Sequence, residues 1–414
     1  MIAFQEFTLD NGLSVIVHED PATPLAAVNL LYKVGSRDED PEKTGFAHLF
    51  EHFMFEGSVN IPDFDIPLQL AGGENNAFTS TDITNYYDIL PAAHLETAFW
   101  LESDRMLSLD FDQESLDTQK KVVCEEFKEH YINQPYGDVW HKLSALAYQV
   151  HPYRWPTIGL TLSHVEQATM KDVKAFFKKF YCPSNAILVV AGGVTTAQVK
   201  VLAEKWFGEI PAGEPVQRRL QQEPEQQHPR FLEVHADVPV PAIYKAYKMC
   251  GRIDADYYCC DLLRDVMSTG DSSRLYEELV KKRPMFSSIS AYLTETIDAG
   301  LLIVEGKLNE GFSLQEADAA IQQCIQSLAT TVTDAELQKV KNKMEAYHAF
   351  GETNILNRAM NLAYFKMLGD AHAANQELDK INAVTLEDIR RVANLVLQEN
   401  QCATIYYLPQ SQPN

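Results

Sequence analysis

Apolar residues recur at helical spacing between residues 44 and 57, Thr-Gly-Phe-Ala-His-Leu-Phe-Glu-His-Phe-Met-Phe-Glu-Gly. Phe46, Leu49, Phe50, Phe53 and Met54 make one stripe, with Thr44 placed to cap the helix and Gly57 to end it. His48, Glu51 and His52 fall at i, i+3 and i+4 and share a second stripe. Before this helix, residues 4–9 and 13–17 predict a hairpin about Asn11-Gly12, and 26–34 a third strand. After it, 62–70 predicts a short helix, and the Thr-, Tyr- and Phe-rich stretch 76–90 one or two strands. Helices follow over 92–108 and 112–132. On the second, Leu116, Val123, Phe127 and Tyr131 face inward and Glu126 borders their stripe. Glu125 and Glu129 turn toward Lys121 and Lys128 on the solvent side.

Residues 151–156 predict a loop, 171–180 and 199–206 helices, and 186–191 an apolar strand. Residues 211–230 show no apolar period and are rich in Pro, Gln and Glu, which marks a linker. Beyond it the order of elements restarts, with strands at 231–235 and 242–248, a helix at 254–267 and then Gly270. Setting Asp261-Leu-Leu-Arg264-Asp265-Val-Met267 against His48-Leu-Phe-Glu51-His52-Phe-Met54 aligns the apolar positions and puts Gly270 opposite Gly57. Two homologous halves are expected: 1–212, a linker at 213–230, and 231–414. In the second half an Arg among the aligned polar positions repels a cation, so no metal site is expected there. A strand at 301–306, helices at 313–328, 333–349 and 386–396, and a loose polar tail after Leu408 complete the chain.

The chain has 414 residues, too many for one ordinary core, which agrees with two domains. With 46% hydrophobic and 22% charged residues it reads as a soluble globular protein. A net charge of −23 argues against nucleic acid and anionic membrane surfaces and favours cationic ligands. The seven cysteines are odd in number and include no Cys-x-x-Cys pair, and Cys259 and Cys260 are adjacent. Buried free thiols in a reducing compartment are expected. The N-terminus lacks a basic region followed by an apolar run, and no stretch reaches transmembrane length. The expected location is the cytoplasm, or the periplasm for a chain whose leader has been removed.

Two imidazoles one turn apart can hold a zinc ion between them, and Glu51 lies on the same face, within reach of a water on that ion. The order His-x-x-Glu-His is a zinc-peptidase signature. The plain alternative is a pair of hydrogen-bonded histidines on a partly buried helix. Three polar groups among five large apolar ones would be a costly core helix. Glu126, at the border of an inward stripe, needs a partner, for which a metal ion and an arginine are equal candidates.

These segments resemble the pitrilysin/insulinase family of zinc metallopeptidases, which includes the mitochondrial processing peptidases. The resemblance takes in the hairpin at 7–17, the motif at 48–52 with Gly57, Gly72-Gly73, Asn76-Ala77, Thr79, Thr84 and Tyr86. It continues through Val122-Val-Cys-Glu-Glu126, His151-Pro-Tyr153, Ile158-Gly159, Tyr181-Cys-Pro-Ser-Asn185 and, in the second half, Ser272-Ser-Arg-Leu275. It implies an α+β chain of two homologous domains, each a mainly antiparallel sheet packed with helices, the first carrying the metal. The family's third ligand is a Glu on a later helix, seven residues after another acid, which matches Glu126. The earlier position is Gln119 here, so altered zinc affinity or basicity is expected. The resemblance thus implies one zinc per chain on His48, His52 and Glu126, with Glu51 as the base. The substrate peptide would add as a strand along Asn76, Ala77, Phe78 and Thr79.

Family members active as one unit carry an Arg and a Tyr seven residues apart in the metal-free half. Matching residues 276–288 puts Val280 and Ser287 at those places, with Arg283 nearby. The resemblance therefore implies the zinc-bearing chain of a heterodimer whose related second subunit supplies Arg and Tyr. The two chains would close over short or unfolded peptides in a chamber and degrade them. A homodimer is the alternative assembly. The alternative functions are a processing peptidase that removes basic presequences and a non-enzymatic scaffold, the latter opposed by the intact His48, Glu51, His52 and Glu126.

Overall fold

In the computed structural model, which describes residues 1–110 and 112–410, the strands divide between two sheets. The first holds β1 (Gln5–Thr8), β2 (Ser14–Glu19), β3 (Leu25–Tyr32), β4 (Glu74–Thr79), β5 (Thr84–Pro91) and β6 (Ala186–Gly192), in the order β1-β2-β6-β3-β5-β4. β2 and β6 run parallel and the other neighbours antiparallel. β6 is buried throughout and β3 everywhere but Leu25. Such continuous apolar strands arise when both faces of a sheet are covered. One cover is the helix Ile355–Met367, whose Leu356, Ala359, Leu362 and Ala363 meet Ala27, Leu31, Ile187 and Val189. The helices that matter below are α1 (Phe46–Phe53), α2 (Leu95–Leu107) and α3 (Gln113–Phe127).

The second sheet holds β7 (Arg230–Ala236), β8 (Ala242–Lys248), β9 (Phe286–Leu293), β10 (Leu301–Leu308) and β11 (Cys402–Pro409), in the order β7-β11-β8-β10-β9. β7 and β11 are its parallel pair. α4 (Tyr257–Ser268) packs with the helices Leu314–Thr331 and Leu386–Val396 in one core, and Val139–Ala147 lies in another that takes in the same sheet. Without β1 the first sheet repeats this order and places its parallel pair identically. α1 comes after β3 as α4 comes after β8, and Gly57 and Gly270 both take left-handed backbone, φ +116° and +80°. The repeat inferred from the aligned apolar positions is present in the fold. In α4 Arg264 pairs with Asp261 and with Asp265, so the aligned stripe is tied up in its own ion pairs.

The compact units are not contiguous in sequence. The first comprises 1–128, 155–220 and 349–376, and the second 129–154, 221–348 and 377–414. Each half of the chain thus lends a segment to the other's unit, where contiguous domains at 1–212 and 231–414 are expected from the sequence. No local period reveals such an exchange, because an apolar helix face looks the same whichever sheet it covers. The 213–230 segment has no regular structure before Arg230, yet it is pinned. Arg218 pairs with Asp38, Glu223 accepts the amides of Gln149, Val150 and His151, and buried Gln226 donates to the Cys402 carbonyl.

Other departures are local. The turn expected at Asn11-Gly12 lies one residue earlier, the Gly12 amide donating to the Leu9 carbonyl at 2.9 Å with Gly12 left-handed at φ +86°, and the Asn11 side-chain amide bonds the carbonyls of Phe207 and Ile210. The 112–132 helix is regular to Phe127 and then widens into a π turn over Lys128–Ile132. All seven cysteines are free, and only Cys250 is less than buried. Among the described residues no helix is long and apolar enough to cross a membrane. Of the tail expected after Leu408, residues 411–414 lie outside the described residues.

Candidate active site

α1 does not start as its sequence suggests. Its N-cap is Gly45, at φ +88°, and no side chain within the helix caps it. Thr44 is occupied elsewhere: its hydroxyl lies 2.8 Å from His164 Nδ1 and accepts the Leu160 amide at 2.7 Å. The first-turn amides go to Glu39, whose Oε2 accepts from Gly45 N–H (2.9 Å) and Oε1 from Ala47 N–H (2.8 Å). Burial pushes the Glu39 carboxyl up to about 8, and these amides oppose the rise. With both oxygens already accepting N–H groups beside a helix N-terminus, the ionised form is the one this geometry serves. A Cβ on Gly45 would sit 2.7 Å from the Ile158 carbonyl oxygen. Gly45→Ala should therefore cost about 1–3 kcal/mol and lower the melting temperature; an unchanged thermal melt would refute the strain.

The helix ends at Phe53 with Met54 as its C-cap, and Gly57 turns the chain three residues later instead of ending it. Phe46, Leu49, Phe50, Phe53 and Met54 are all buried, as their stripe predicted, and Phe50 stacks on Tyr181 at 5.1 Å. The polar stripe is thereby turned away from the core. His48 and His52 meet edge to face, centroids 4.9 Å apart.

α3 brings in the third group. Glu126 Oε1 is 3.7 Å from His48 Nε2, and Oε2 is 3.4 Å from His52 Nε2. One donor atom from each of the three residues lies within 4.8 Å of the other two. Tetrahedral ligands at ~2.0–2.2 Å from a zinc ion stand ~3.4 Å apart, so the spacing suits zinc. The donor chemistry suits it too. Burial pushes His48 down to about 4 against the pull of Glu126, which leaves a neutral imidazole with a lone pair to offer. Glu125 is paired with Lys128 at 2.7 Å on the exposed side and Glu129 is exposed, so Glu126 alone of the three acids joins the histidines.

Glu51 is not one of the three. Burial raises its pKa, against Thr79 and His52, which favour the charged form. Thr79 ends β4, the last strand of its sheet, hydrogen-bonded on one side to β5. Asn76 and Phe78 are exposed there, and Ala77 and Thr79 half-buried. The four residues predicted to bind substrate therefore lie on one sheet edge that reaches Glu51.

Gln119 donates to the carboxylate of Glu56, just after α1. An acid thus lies beside position 119, although the residue there is an amide. Val280 is half-buried against the second core, and Ser287 is exposed on β9, its hydroxyl donating to the Lys307 carbonyl at 3.2 Å. Glu39 and Arg105 were not anticipated. Arg105, on α2 and 1% exposed, is gripped by Glu102 and lies 4.3 Å and 4.5 Å over the rings of Phe64 and Tyr86. The one signal for it is the i,i+3 spacing of Glu102 and Arg105 on a predicted helix.

Comparisons with known proteins agree with this geometry. The family model for insulinase (peptidase family M16) matches residues 14–160, and that for the peptidase M16 inactive domain matches 167–344. The zinc protease PqqE of Helicobacter pylori is 29% identical over 412 residues, covering 98% of this chain and 93% of that protein. An uncharacterized zinc protease of Bacillus subtilis, YmxG, is 25% identical and covers 96% of each. A protease structure from Helicobacter pylori matches with a TM-score of 0.93 at 28% identity, covering 99% of this chain and all of that one. Pitrilysin shares the fold, with a TM-score of 0.80 at 17% identity, and this chain spans 45% of its length. The chain belongs to peptidase family M16, and the relatives it resembles along their whole length are named zinc proteases. The inactive-domain model falls on the half in which Asp261, Arg264 and Asp265 replace the His-Glu-His stripe.

Proposed function

We propose that the chain is a zinc-dependent endopeptidase or oligopeptidase acting on short or unfolded peptides, and that it is the metal-bearing half of a two-chain enzyme. The observation that carries this reading is the convergence of His48, His52 and Glu126, with Glu51 between them and a sheet edge. These three residues would hold the metal. Bound zinc supplies a Lewis acid that polarises a carbonyl and lowers the pKa of water from ~16 toward ~7.

Glu51, outside the ligand set, accepts the proton of the attacking water and returns it to the leaving amine. Its burial supports the second step, since a raised carboxyl pKa keeps the proton long enough to deliver it. The edge of β4 takes the peptide as an added strand along Asn76, Ala77, Phe78 and Thr79. Only an extended segment can pair with an edge, which selects short or unfolded chains. Main-chain pairing reads little side-chain identity, which supports broad specificity. Val280 and Ser287 offer neither a cation nor a phenol to steady a developing oxyanion, and a related subunit would supply both.

The test is hydrolysis of a mixed set of quenched peptides by the zinc-loaded chain alone and with candidate related subunits. The expected result is slow or absent cleavage alone and restored cleavage with a partner that carries the Arg and Tyr. Robust cleavage by the isolated chain would remove the partner requirement and keep the peptidase reading.

A further inference from the structure

We propose that Glu39 and Arg105 are positioning residues, a carboxylate and a guanidinium set at opposite ends of α1 that fix this helix, and with it His48, Glu51 and His52, against α3. The consequence for catalysis rests on the peptidase reading above; the geometry does not. α1 has eight residues, and isolated helices shorter than about 12 residues are marginal in water. It carries a polar stripe that packing alone does not hold. The buried apolar stripe sets which face turns inward, and groups from outside the helix can fix its two ends.

At the N-terminus one rigid carboxylate reads two amides, Gly45 at 2.9 Å and Ala47 at 2.8 Å. Two such contacts fix both the height of the helix and its rotation. A slip of one residue would move every side chain by about 1.5 Å along the axis and about 100° around it. At the other end Arg105 Nη1 lies 3.5 Å from the Met54 carbonyl. It cannot swing away, because Glu102 holds Nε at 2.8 Å and also Nη2, and Phe64 and Tyr86 flank the guanidinium. Tyr86 closes the same end, its hydroxyl 3.5 Å from the Phe50 carbonyl. The two groups hold the helix through its backbone at its two ends. Burying them is a costly way to gain stability. What they supply is position, acting through the backbone of the helix that carries His48 and His52.

The test uses Glu39→Gln, which keeps the shape and turns one acceptor into an NH2 facing an amide. Apo protein is titrated with cobalt(II) and with zinc in competition with a chelator, and the visible cobalt absorption is recorded. The expected result is binding of either metal weakened about tenfold or more and an altered cobalt band. Ile389→Val, in the core of the second unit, is the comparison for general loss of stability and should leave both unchanged. Unchanged affinity and band in Glu39→Gln, or equal shifts in Ile389→Val, would overturn the proposal. Arg105→Lys keeps the charge and loses the fork, and gives the same readings if Glu39→Gln does not fold. None of these readings needs peptidase activity. A wild-type chain that binds cobalt tightly and cleaves nothing with any partner would sink the peptidase reading and leave this one standing.

Discussion

Glu51→Gln should leave one zinc per chain and cut turnover by about 10²–10⁴-fold, the usual share of general acid–base catalysis. The separation of the two effects is the point of the variant. Glutamine has the shape of glutamate, so the fit beside Thr79 is kept, and the three donors that approach one another come from other residues. It can neither take nor return a proton. Zinc stoichiometry by atomic absorption and turnover on quenched peptides, measured on the same preparation with the partner that gives activity, read the two effects independently. Turnover within about tenfold of wild type at equal zinc content would remove Glu51 as the base, since a lost proton-transfer group costs more than that. Loss of zinc together with activity would instead make Glu51 part of the metal's support.

The sequence carried His48, Glu51 and His52 because a spacing of three and four residues places side chains on one face of any helix. It carried Glu126 less surely. The apolar stripe of α3 brought that residue to its border, but nothing local says what waits there, and an arginine would have satisfied the same reasoning. The structure brings α1 alongside α3, and with Glu125 paired to Lys128 on the exposed side, Glu126 is the acid that faces the histidines. Contacts between distant segments left no trace in the pattern. Glu39 sits in an irregular turn, and its carboxylate takes over the capping that Thr44 was expected to perform, because Thr44 is drawn off by His164 and Leu160.

The same holds at the level of whole elements. Leu386–Val396 was predicted to the residue, its amphipathic period being entirely local. The helix Ile355–Met367 and strand β11 were missed, although each lies deep in a core. β11 is a two-sided apolar run set off from the preceding helix by only the short polar turn at 398–401, and its pairing with β7 and β8 spans most of the second unit. The repeat was legible for a different reason. Aligning α4 on α1 needs only apolar positions, and those survive when Asp261, Arg264 and Asp265 form their own ion pairs where His48, Glu51 and His52 converge on Glu126.

Glu126→Ala is expected to weaken zinc binding by about 10²–10³-fold, roughly a quarter of the ~10–16 kcal/mol that four ligands supply together. The neutral imidazoles His48 and His52 would remain, one turn apart on a helix that the substitution does not touch. Two donors from one helix leave half the coordination sphere to solvent, and the charge that best offsets a divalent ion is gone. Glu125→Ala and Glu129→Ala are the comparisons, since both carboxylates lie on the solvent side of the same helix stretch and should bind zinc as wild type does. Chelator competition on the three variants gives the answer without any substrate. Full affinity in Glu126→Ala with a loss in either comparison would move the third ligand and break the match between α3 and the histidines. Loss confined to Glu126→Ala would tie the metal to the one acid that the fold, rather than the local sequence, selects.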